Sequence, residues 1–117
     1  MAEALARQLL PASWAIASAG LQPLGFVAPE TLEVLAEEGI STEGLRSKGL
    51  NELNSREFPL LVNLTNSPLE SLLPGFFSGR IIQFPVPDPY GDSLKVYRQA
   101  RDLIRRFILE ELPNHLL

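Results

Sequence analysis

The run "FPLLVNL", Phe58 to Leu64, constrains the fold more than any other stretch. A strand with one wet face alternates apolar and polar residues. This run does not alternate, so it reads as a strand buried on both faces, the pattern of a parallel sheet covered by helices. Two further runs suit the same sheet. "RIIQFPV" (Arg80 to Val86) is one. "SWAIASAG" is the other: Trp14, Ile16 and Ser18 alternate with small alanines, and the predicted strand ends at Gly20. Helical sequence separates the three. The order helix, strand, helix, strand, helix, strand, helix predicts an α/β protein with a parallel sheet. Its 117 residues make one domain, and no repeat or linker interrupts them.

The helices carry their own signals. "MAEALARQLLP" places Leu5 and Leu9 on one face and stops at Pro11. It starts inside helical sequence, with no capping residue before Met1, and the expectation is a native protein that extends upstream. "APETLEVLAEEG" has Pro29 in its first turn, Glu30 and Glu33 near the positive end of the dipole, and Gly39 as its stop. Leu32, Leu35 and Ala36 are its expected apolar face. A short helix is expected near Leu50 to Leu53. Another should start at Ser67, with Pro68 at the first position and Glu70 at the third, and end at Pro74 and Gly75. The longest follows Asp92 or Ser93, with Leu94, Tyr97, Arg101, Ile104, Ile108 and Leu112 along one side.

Composition removes several function classes. With no cysteine there is no disulfide, no cysteine-ligated metal and no thiol nucleophile in this chain. A net charge of −4 without a basic stripe argues against nucleic acid. No apolar run reaches the roughly 20 residues that span a bilayer, and the amino-terminal residues lack the pattern of a secretory signal. A cytoplasmic protein without membrane contact, metal or cofactor is the expectation.

Chemistry concentrates in "PVPDPYGDS" (residues 85–93). The order of elements puts it just beyond the carboxyl end of the third strand, where open α/β sheets bind ligands. Asp88 stands between Pro87 and Pro89. One reading is a turn whose carboxylate bonds to backbone. The other is a rigidly presented catalytic acid. Sequence position alone leaves both open.

"VPDPYGDSLKVYRQARDLIRRFI" resembles the acid loop and last helix of the low-molecular-weight protein tyrosine phosphatases, a fold shared with thioredoxin-coupled arsenate reductases. "MAEALARQLL", "IASAG", "APETLEVLAEEGIS", "LRSKGL" and "FPLLVNLT" resemble successive segments of that family in the same order, over essentially the whole chain. The resemblance implies a three-layer sandwich, a short parallel sheet flanked by helices. It implies that Asp88 is the general acid, protonating a leaving phenol oxygen and then activating water. It implies that Tyr90 lines the cleft and stacks on a substrate ring. The family function implied is hydrolysis of phosphotyrosine or another aryl phosphate.

The family's nucleophile lies in a C-x5-R loop between its first strand and first helix, and this chain has no counterpart of that strand, the loop, its cysteine or its arginine. The resemblance therefore implies an amino-terminally truncated domain without phosphatase activity, binding aryl phosphate only if the loop is present. Thr65 stands where a reductase cysteine would lie, which disfavours arsenate reduction further. The family's first strand is central, so the remaining strands are expected to close up, to pair with another chain as a homodimer, or to belong to a longer protein. A non-catalytic binding module is the rival reading, using the acid-loop cleft or the open strand edges. Smaller expectations complete the reading. Ser18 marks a strand end or orders a neighbouring loop. Arg46 and Lys48 belong to a solvated loop, and Arg101, Arg105 and Arg106 to a solvated face. His115 lies in a frayed tail without a metal or catalytic role, and Trp14 is in the core.

Overall fold

The structure is a computed structural model, and it describes residues 1–54, 57–69 and 79–116. Its first helix, α1, spans Ala2–Leu9. The second, α2, spans Pro29–Glu37. A 3-10 turn covers Leu50–Glu52. Strand β1 is Leu60–Asn63 and β2 is Arg80–Gln83. Helix α3 runs from Leu94 to Arg106, widens into a π turn over Phe107–Glu111, and closes in α4, Leu112–His115. Pro113 lacks the N–H that a regular helix requires there, which accounts for the widened turn just before it. The helix expected to begin at Ser67 falls largely on residues 70–78, outside the described ones.

The two strands pair in parallel, with Leu60 opposite Arg80 and Asn63 opposite Gln83. That is the α/β arrangement the continuous apolar run predicts. The expected strand at Trp14–Ser18 does not form: the segment has no ladder, and a lone parallel bridge joins Gly20 to Gly49. Its apolar alternation is sound, but a strand needs a neighbour, and no described residue supplies one. Trp14 is correspondingly 41% exposed rather than in the core.

The core gathers Ala4 and Leu5 of α1, Leu35 of α2, Ile82 of β2, and Ile104, Phe107, Ile108 and Leu112 of the last helical segments. Leu5 and Leu35 are fully buried. Each contributes about 1.5–3 kcal/mol by leaving water. A second cluster joins Ala28, Val34 and Tyr97. The inner face of α2 is thus Thr31, Val34 and Leu35, while the expected Leu32 and Ala36 are exposed. Gly39, at φ 67°, ends α2 in the left-handed region that favours glycine.

Arg101 corrects the reading of a solvated basic face, because it is buried on the core side of α3. Its Nη1 donates to the Val34 carbonyl (2.9 Å) and to Glu37 (2.8 Å), and its Nε donates to Asp102 (2.9 Å). The Glu38 N–H turns to Leu35 and Ala36, so the Val34 carbonyl is left without its helical donor, and the guanidinium fills that place at the negative end of α2. Arg98 holds the same Glu37 at 2.6 Å, and together the two arginines hold that carboxyl down at about 2.

Candidate functional site

The loop that carries Asp88 is built by what precedes it. Beyond β2, Phe84 and Val86 point inward against the core, and Phe84 stacks on Phe107 at 4.3 Å between ring centroids. The Phe84 N–H donates to Asn63 and the Val86 N–H to Leu64, so pairing with the first strand's side continues past the strand itself. Pro85 and Pro87 face outward and need no partner for a missing N–H. Asp88 emerges exposed. The Pro89–Asp92 turn closes on an Asp92 N–H to Pro89 carbonyl bond of 2.9 Å, with Gly91 at φ 86° where such a turn demands it.

One oxygen of Asp88 accepts the Tyr90 N–H at 3.0 Å. The turn reading is therefore correct for that oxygen. The other carboxylate oxygen has no partner among the described residues. Tyr90, the donor of that bond, is 52% exposed. Beneath lies buried Tyr97. Burial pushes its hydroxyl above the ordinary tyrosine range, with the charges of Glu30 and Asp88 adding to the effect and the Gly91 backbone opposing it.

A second polar centre was not visible in the sequence. Glu3 is buried at the start of α1. Its Oε1 accepts from Ser18 Oγ (2.8 Å) and Lys48 Nζ (3.2 Å). Arg7 Nη2 lies 2.6 Å from Oε2, an ion-pair contact without hydrogen-bond alignment. Burial pushes the Glu3 carboxyl up, but the bonds from Ser18 and Lys48 and the charges of Lys48 and Arg7 outweigh it and hold it below its ordinary value. Lys48 is accordingly half-buried in an ion pair rather than solvated. Ser18 orders this junction. The one hint in sequence is the i,i+4 pair Glu3–Arg7, which is too common on exposed helices to mark a buried charge.

Asn63 was also missed, hidden in the apolar run. It is the buried last residue of β1. Its amide donates to the Ser67 carbonyl (2.7 Å) and Gln83 Oε1 (2.8 Å), while its oxygen accepts from the N–H and hydroxyl of Thr65 (2.9 and 2.7 Å). These bonds shape the loop from Leu64 to Ser67. Ser67 in turn reaches an open cavity of about 500 Å³. Leu21, Gln22 and Pro23 line one side of it, and Gly49, Leu50 and Asn51 another. Asp88 and Tyr90 do not line it.

The comparisons agree with this architecture. The model of the low molecular weight phosphotyrosine protein phosphatases matches residues 1–115. A probable low molecular weight protein-tyrosine-phosphatase of Ralstonia nicotianae, EpsP, is 34% identical over 97% of this chain and 85% of its own length. The tyrosine phosphatase Wzb from Escherichia coli K30, solved with sulphate, superposes with a TM-score of 0.79 at 22% identity, over 97% of this chain and 87% of its own. An arsenate reductase in its oxidised state gives 0.77 at 24%, over 97% and 86%. The chain belongs to the low-molecular-weight protein tyrosine phosphatase family. The structural neighbours share its fold, a parallel sheet between helices.

Proposed function

We propose that this chain is a catalytically silent member of the phosphatase family, carrying the acid half of a phosphomonoesterase site without the nucleophile. The observation that carries the reading is the complete absence of cysteine from a chain that retains the Asp88–Tyr90 loop. In this reading Asp88 is the residue that would give a proton to a leaving phenol oxygen, and Tyr90 the one that would stack on the ring. An acid positioned alone contributes roughly 10²–10⁴-fold, far short of what phosphate-ester hydrolysis needs. The arrangement can therefore hold a leaving group but cannot displace it. Purified protein incubated with p-nitrophenyl phosphate is expected to release no more nitrophenol than buffer. Turnover that disappears in Asp88→Ala would overturn the reading.

A further inference from the structure

We draw no further inference here: the strongest candidate, the exposed apolar pair Leu24 and Phe26 on the loop leading into α2, carries nothing because nothing in the structure shows what covers it.

Discussion

Replacing Asn63 tests how the loop beside the cavity is held. The side chain makes four hydrogen bonds from a buried position. In Asn63→Ala, the Thr65 hydroxyl and the Gln83 amide can turn to other partners. The Thr65 N–H cannot, since it belongs to the backbone of a tight loop, and the Ser67 carbonyl keeps only the Thr65 hydroxyl, 3.5 Å away. Stranding the first costs about 1–2 kcal/mol and weakening the second about 1 kcal/mol, so the variant should lose about 2–3 kcal/mol. In a domain of this size that lowers Tm by about 8–12 °C. Asn63→Asp discriminates further. It keeps the acceptor for Thr65 but puts a carboxylate oxygen where the amide now donates, facing the Ser67 carbonyl and Gln83 Oε1. At neutral pH it should be less stable than Asn63→Ala. Protonation restores a donor, so its carboxyl should titrate above its unfolded value, and the deficit should shrink as pH falls through that folded-state pKa. Urea unfolding followed by circular dichroism at pH 7 and pH 4 measures both. An Asn63→Asp protein as stable as Asn63→Ala at pH 7, with no recovery in acid, refutes the reasoning.

Three other outcomes follow from the same structure. Glu37 is held at about 2, so its stabilising charge is present above its unfolded pKa near 4.5 and is lost as pH falls toward 2; Glu37→Gln should remove that part of the acid-unfolding curve and leave its alkaline side unchanged. Leu35→Ala empties a fully buried position and should cost about 2–5 kcal/mol in urea melts, against less than about 0.5 kcal/mol for exposed Leu109→Ala. Ser18→Ala removes a donor from buried Glu3 and should cost about 1.5–3 kcal/mol, with Ser18→Thr recovering most of it.

Much of the fold was legible because it rests on local rules. Pro29 and Gly39 bound α2 as their backbone preferences require, and the unbroken apolar run at Phe58–Leu64 yields a parallel strand. The turn that carries Asp88 was legible too, since two prolines and Gly91 leave its backbone few choices. What escaped depends on neighbours distant in sequence. Trp14–Ser18 has strand-like alternation, but pairing is decided by what lies beside it. Arg101 and Lys48 read as solvated because charge favours water, yet each meets carboxylates from another element, 64 residues away for Arg101 and Glu37 and 45 for Lys48 and Glu3. Asn63 passed for one more member of a buried run, and only the chain's return at Gln83 and Ser67 gives its amide a task.

The central claim, an acid loop with nothing to attack phosphorus, is tested most directly by trapping. The protein is mixed with an excess of aryl phosphate, quenched in acid, and its intact mass measured. The account predicts an unmodified chain at every time point. A phosphoryl adduct that forms and decays with turnover, and that accumulates when Asp88 is replaced by alanine, would show a nucleophile in the chain and contradict it.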